Sequence, residues 1–161
     1  MALAALLALI CVFRFGPEAP KCELVVRGEK VRSRGTTEVA DEILLELSVG
    51  ERVEYAYTHS SPGNLSDYDA MRSIILVAYH VRVERVGHGE LPAPKHGFVV
   101  DVLDEFAVPP AGESVVVTGL MTMPAEEGLY HTRFTFAYND GVPEKQSVDQ
   151  FNFIVDVRDD G

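Results

Sequence analysis

The sequence predicts an all-β protein, a single antiparallel β-sandwich of about eight short strands that follows an N-terminal apolar leader. Two observations predict this fold. After residue 22, apolar and aromatic residues recur at every second position through most of the chain, which is the period of a half-buried strand. Turn-forming Gly, Pro, Asn and Asp residues separate these segments, and no segment has a convincing amphipathic helix pattern. Many short strands with little helix favour a sandwich.

The clearest alternation lies in residues 113–157, where three consecutive strands are predicted. One face of the middle strand carries Tyr130, Thr132, Phe134, Phe136 and Tyr138, and the other carries His131, Arg133, Thr135 and Ala137. After a turn signal at 139–141, one face of the next strand carries Phe151, Phe153, Val155 and Val157. Burial of each such side chain contributes roughly 1.5 to 3 kcal/mol. We therefore expect this hairpin to form the centre of the core.

The remaining strands are predicted from shorter alternating segments. They cover residues 22–27, a brief strand at Val31, then 38–49, 51–58, 71–86 and 98–103, with loops at 59–70, 87–97 and 104–112. Segment 38–49 also fits a helical stripe, but Gly50 ends it after a dozen residues and the next segment alternates, so two strands joined by a tight turn are preferred. In segment 71–86 the inward set is expected to be Val77, Tyr79, Val81 and Val83, and the outward set Ala78, His80, Arg82 and Glu84.

Residues 1–16 are interpreted as a signal peptide or membrane anchor, 17–21 as a linker and 22–158 as the sandwich domain. The run 1–13 carries no charged side chain. It is too short for an ordinary membrane span of about 20 residues, but it matches the apolar core of a secretory signal. No Lys or Arg precedes it and no small-x-small cleavage site follows, so an uncleaved anchor is an alternative, as is a buried N-terminal helix. The expected location is extracytoplasmic: secreted, periplasmic or anchored to the membrane through this segment.

The net charge of −11 argues against a nucleic-acid partner, because an acidic surface repels a phosphate backbone. The acidic residues are spread along the chain, as in an ordinary solvated surface.

The segments 108–117 and 123–130 share a pattern of turn and strand signals. A turn with proline, glycine and glutamate precedes an alternating strand, and Pro-x-x-x-Gly-x-Tyr, ending at Tyr130, opens the next strand. This pattern resembles the closing strands of immunoglobulin-like modules, in particular the four-tryptophan domain of autophagy cargo receptors and bacterial adhesion-type repeats. The resemblance implies an immunoglobulin-like sandwich in which a tyrosine packs at the corner. The chain has no tryptophan, so only the fold is carried over, because fold does not supply function.

Five histidines suggest a metal site. By the alternation above, His80 and His131 point outward and share an exposed face, and His88 lies in a neighbouring loop. Neutral imidazoles are suitable ligands for copper or zinc. No HxH, HExxH or Cys/His spacing is present, and exposed histidines without a ligand are the commoner case. An exported copper- or zinc-handling protein that uses His80, His131 and His88 is therefore the alternative function.

Other motifs are weaker. Asn64 begins an Asn-Leu-Ser glycosylation sequon. Cys22 is expected to be a half-buried thiol with a structural role. No spacing supports a nucleophile with an oriented base, so no enzymatic activity and no cofactor are expected. The function expected from the sequence is a non-enzymatic exported module for protein binding or structural assembly, with contacts through loops 59–70 and 87–97.

Overall fold

The computed structural model describes residues 20–34, 40–63, 73–87, 99–139 and 150–161. Within these ranges the chain is all-β and forms ten strands in two sheets. The strands are β1 (Lys21–Val26), β2 (Glu29–Val31), β3 (Ser33–Arg34), β4 (Ile43–Ser48), β5 (Arg52–Ser60), β6 (Ser73–Val83), β7 (Val99–Ala107), β8 (Ser114–Thr122), β9 (Gly128–Asn139) and β10 (Gln150–Arg158). The expected all-β sandwich is confirmed.

The strands divide into a four-stranded and a six-stranded sheet. The order in the first is β2-β1-β5-β8, and the order in the second is β3-β10-β9-β6-β7, with β4 added beside β10. One pairing differs from the expected antiparallel pattern, because β4 runs parallel to β10. The tight turn after β4 was predicted, but it carries the chain from one sheet to the other: Val49 donates to the Arg158 carbonyl and Gly50 to the Pro124 carbonyl. Strands β4 and β5 are thus neighbours in sequence that lie in different sheets.

The core lies between the two sheets and is centred on Tyr57 of β5. Tyr57 is fully buried, and its ring centroid lies 5.7 Å from that of Phe134, 6.0 Å from Phe136 and 6.4 Å from Phe151. The predicted aromatic hairpin is confirmed, because β9 and β10 pair antiparallel with Phe134 opposite Phe151. The inner faces of both sheets therefore meet through rings, which supply large buried areas.

The inward face of β6 differs from the prediction. Ile74, Leu76 and Ala78 are fully buried members of the core, so the expectation that Val77, Tyr79, Val81 and Val83 point inward is wrong. The segment is apolar on both faces, and periodicity alone does not choose between them. The choice is made by pairing with β9, where Leu76 lies opposite Phe136, because paired residues share a face.

The other face of the six-stranded sheet is also buried along its central strands. His131 and Ile154 are directly paired there, and both are almost completely inaccessible to solvent, as are Asn152 and Arg133. The Arg133 guanidinium donates to the Tyr79 hydroxyl at 3.2 Å. The expectation that this face is exposed at His131 is therefore wrong.

Several predicted boundaries also change. Strand β5 continues through His59 to Ser60, so the loop predicted at 59–70 begins later. Strand β7 extends to Ala107, because the segment 104–107 continues its pairing with β6. The interpreted leader (1–16), most of the linker, Asn64, and loop 88–97 lie outside the described residues. Among the residues that are described, no helix has the length and apolar character needed to cross a membrane.

Candidate functional site

The predicted histidine site does not have the expected geometry. His80 pairs with Thr132, and Val81 pairs with His131; successive residues of a strand point to opposite faces, so His80 and His131 lie on opposite faces of the sheet. Both are buried. His88 lies outside the described residues. In the part of the chain that is described, no three His, Cys, Asp or Glu residues form a group that can hold a metal ion, and the copper or zinc assignment stays a prediction.

His80 has a structural role in the sandwich. Its Nδ1 lies 2.8 Å from the Thr132 hydroxyl and its Nε2 lies 3.2 Å from the Thr122 carbonyl oxygen. A carbonyl only accepts, so Nε2 donates to the Thr122 carbonyl, and in the neutral imidazole Nδ1 then accepts from the Thr132 hydroxyl. Thr122 belongs to β8 in one sheet and Thr132 to β9 in the other. The imidazole therefore links the two sheets and uses both ring nitrogens to do so.

The outer face of the four-stranded sheet carries an exposed apolar strip. We define the outer apolar strip as Val25, Ala56, Val116, Thr118 and Leu120. Val25, Ala56 and Thr118 lie in one row across three strands. On β8, the side chains of Val116 and Leu120 are 62% and 42% exposed. Apolar residues on the solvent face of a sheet are usually scattered singly, whereas grouped ones mark interaction sites.

An open concavity of about 510 Å³ lies over four members of this strip, all except Val116. Its lining includes Ala56, whose short side chain leaves room above the sheet. Arg27 and Glu54 border it, and Arg27 forms an ion pair with Glu51 at 3.1 Å. The surface therefore combines an apolar floor with a charged rim, the usual arrangement of a protein-binding site.

The charge of this sheet differs from that of the whole chain. The charged residues of its strands balance one another, because Lys21, Lys30 and Arg52 are matched by Glu23, Glu29 and Glu54, whereas the chain as a whole carries −11. Arg27, beside this sheet, is matched by its ion-pair partner Glu51. The sheet is thus close to neutral within an acidic protein.

A second cluster, formed by Cys22, Tyr57 and His59, lies at one end of the sandwich. Cys22 pairs with His59 across β1 and β5, and the inward set of β5 includes Tyr57. The Tyr57 hydroxyl donates to Cys22 Sγ at 3.3 Å and lies 3.1 Å from His59 Nδ1, which lies 3.5 Å from the same sulfur. Burial lowers the pKa of His59 to about 4, so the imidazole is neutral at neutral pH.

A cavity of about 420 Å³ opens beside this cluster. Its lining includes Cys22, Lys30, Arg32 and Phe151. Sequence reasoning missed the cluster, since Cys22 and His59 are 37 residues apart and His59 was expected in a loop. Both residues occupy inward-facing positions in the alternation of their strands, and this is the one signal that could have indicated the cluster.

Comparison with known proteins adds no relative to these observations. No protein-family model matches this chain, and no curated protein sequence matches it.

Proposed function

We propose that this protein is an exported, non-enzymatic immunoglobulin-like module that binds another protein through the outer apolar strip. The strand order supports the fold part of the proposal. Strands β1, β5 and β8 lie in one sheet and β6, β9 and β10 in the other, as strands A, B, E and C, F, G do in immunoglobulin-like sandwiches. The export part rests on the apolar sequence at residues 1–13.

The corner before β9 gives further support. The Tyr130 hydroxyl donates to the backbone carbonyl of Glu126, four residues upstream, at 3.0 Å. Tyr130 is buried, and burial raises its pKa, with Glu126 acting in the same direction and Arg82 opposing it, so the hydroxyl keeps its proton. A tyrosine near the start of strand F that bonds back to the preceding backbone is a hallmark of immunoglobulin-like sandwiches.

The observation that carries the binding function is the exposure of Val116 and Leu120 beside a concavity on a sheet face. Transfer of apolar area from water contributes about 25 cal/mol per Å², so a partner that covers both side chains gains affinity from them. We therefore propose that the predicted protein partner contacts a sheet face. The loops that the sequence predicts as the contact surface lie largely outside the described residues.

The proposal is tested by quantitative capture with matched charge variants. The full chain is immobilised as wild type, Val116→Glu, Leu120→Glu and Val102→Glu, and retained proteins are quantified by mass spectrometry. Val102 is the control, because it is 65% exposed on β7 of the other sheet and receives the same substitution. We expect a saturable partner that wild type and Val102→Glu retain equally and that both strip variants lose by about tenfold or more, because an unpaired carboxylate would be buried on binding. Equal retention by all four proteins would refute the assignment.

A further inference from the structure

We propose that the free edge of β8 is a homodimer interface, at which two copies of this chain pair antiparallel through their β8 strands. The two four-stranded sheets would then form one continuous sheet. Strand β8 is the last strand of its sheet, and among the described strands it pairs with β5 alone. A strand in this position presents a row of backbone groups to another chain. The inference goes beyond the proposed function, because it concerns the edge of the sheet and not its outer face.

Hydrogen bonds at the two ends of β8 show which backbone groups lie on its free edge. Met123 donates to the Glu51 carbonyl, and the Glu113 carbonyl accepts from Ser61, so the odd-numbered residues of the strand direct their N–H and C=O groups at β5. In an antiparallel pair this direction alternates along the strand, and the register with β5 is uninterrupted. The even-numbered residues from 114 to 122 therefore direct five N–H and five C=O groups away from β5.

Strand β8 lacks the features that usually protect an edge strand. Its nine residues, SVVVTGLMT, include no charged residue and no proline. Natural sheets protect their edges with charges, prolines, bulges or very short strands. Each of the other edge strands that the structure describes has such a feature: β2 and β3 have three and two residues, β4 contains Glu46, and β7 carries Asp104 and Glu105 and an irregular register with β6. These differences single out β8 as the edge that can pair.

The sequence of β8 is complementary to itself about a two-fold axis, which favours a second copy of the chain as the occupant. With the axis at Thr118, all nine residues are paired, and Val116 of each copy lies opposite Leu120 of the other. These two side chains are 62% and 42% exposed, and apolar pairs across strands stabilise a sheet. An axis one residue away leaves two residues of each strand unpaired and places Val116 and Leu120 opposite polar residues: Ser114, Thr118 or Thr122.

Charge permits this pairing and also limits it. Because β8 is uncharged, no like charges meet in register, whereas self-pairing of β7 would bring acidic residues together. Each copy as a whole carries −11, so long-range repulsion opposes association, and salt weakens that repulsion.

The contact area predicts a weak, reversible dimer. A strand of nine residues is about 30 Å long and a sheet is about 10 Å thick, so the two copies together bury roughly 600 Å² at this edge. Stable interfaces begin at about 1,200 Å². Five donors and five acceptors from each copy form ten hydrogen bonds, which is a typical number for a protein interface. The dimer is therefore expected to form and dissociate with protein concentration.

Proline at the centre of β8 tests whether the free edge is the contact. The Thr118 N–H points away from β5, so Thr118→Pro removes a group that the pairing with β5 does not use, and proline is tolerated at such edge positions. Thr118→Ala is the matched control, because it loses the same side chain and keeps the N–H. Sedimentation velocity of the full chain over a range of concentrations should show the same reversible dimer for wild type and Thr118→Ala. We expect Thr118→Pro to weaken dimerisation by about tenfold or more, and about 0.5 M NaCl to strengthen the wild-type dimer.

Cross-linking tests the register without a change to the backbone. All proteins carry Cys11→Ser and Cys22→Ser, which removes both cysteines of the chain. In the dimer the two Cα atoms of residue 118 are about 5.5 Å apart, and those of residue 122 are about 27 Å apart. A short bismaleimide should therefore link Thr118→Cys into a covalent dimer at least about tenfold faster than Thr122→Cys, whereas a mixture of Ser114→Cys and Thr122→Cys should form a linked heterodimer.

The proposal is overturned if wild type shows no concentration-dependent dimer, or if Thr118→Pro associates as well as Thr118→Ala. Equal cross-linking of Thr118→Cys and Thr122→Cys would also overturn it, and this result does not depend on the stability of the proline variant. Partner capture is a separate outcome. A chain that captures a partner through the outer apolar strip but stays monomeric overturns this inference alone, and a chain that dimerises but captures nothing overturns the proposed function alone.

Discussion

Gly119 of β8 is predicted to be a position where one added methyl group destabilises the fold. Gly119 lies opposite Tyr55 of β5, and a Cβ at residue 119 would lie 2.6 Å from Tyr55 Oη, 2.8 Å from Cζ and 2.9 Å from Cε1. Non-bonded carbon atoms pack at about 3.5 to 4.0 Å. The ring has little freedom to move away, because Tyr55 is 3% exposed and its edge contacts Phe134 at a centroid distance of 5.4 Å.

The expected magnitude for Gly119→Ala follows from two opposing effects. Overpacking of a core by a methylene typically costs about 1 to 3 kcal/mol, and three close contacts to one ring place Gly119→Ala in the upper part of that range. Replacement of glycine by alanine within a strand returns roughly 0.5 to 1 kcal/mol of backbone entropy. The free energy of unfolding should therefore fall by about 1 to 2 kcal/mol, which corresponds to a decrease in melting temperature of roughly 2 to 8 °C for a domain of this size.

Urea unfolding of Gly119→Ala and Gly63→Ala at pH 7.5 provides the measurement and its control. A Cβ added at Gly63 would meet no atom within 4 Å, and the backbone there has no positive φ, so Gly63→Ala should be neutral or stabilising by about 0.4 to 1 kcal/mol. Tyr55→Phe should not rescue Gly119→Ala, because Cζ and Cε1 remain in place, whereas Tyr55→Leu should reduce the cost of the added methyl in a double-mutant cycle. If Gly119→Ala matches Gly63→Ala, or costs the same in the Tyr55→Leu background, the steric reasoning is wrong.

Two further predictions concern buried polar groups. The folded pKa of His59 is about 4, against 6.5 in the unfolded chain, so the unfolded state binds the proton first and stability falls with decreasing pH through this window. Between pH 7.5 and pH 5 the free energy of unfolding should fall by about 2 kcal/mol because of this group. Urea unfolding of wild type and His59→Gln at the two pH values measures this contribution as the difference between the two proteins. Identical pH dependence of the two proteins would contradict the prediction. Tyr130→Phe removes the hydrogen bond to the Glu126 carbonyl and should cost about 0.5 to 1.5 kcal/mol. Glu126→Ala keeps that carbonyl and should cost less, so the reverse order in thermal unfolding would exclude the corner hydrogen bond as the cause.

The elements that could be predicted are those in which one face alone is apolar or aromatic. In β9, Phe134 and Phe136 determine the inner face, and the aromatic residues of β10 meet them in the observed pairing. In β6 both faces are apolar, so the inward set follows from pairing with β9, which residue spacing within one strand does not encode. The same limit explains why the predicted orientation of His80 is wrong. His80 was assigned outward from the parity of β6, and it faces the core because its partner Thr132 does.

The candidate sites depend even more strongly on pairing between distant segments. Cys22 and His59 contact each other only because β1 and β5 pair in one register; a shift of one residue would move one of the two side chains to the opposite face. The outer apolar strip depends on the same register, which aligns Val25 with Ala56. Composition and spacing therefore indicated a sandwich, but not these two surfaces.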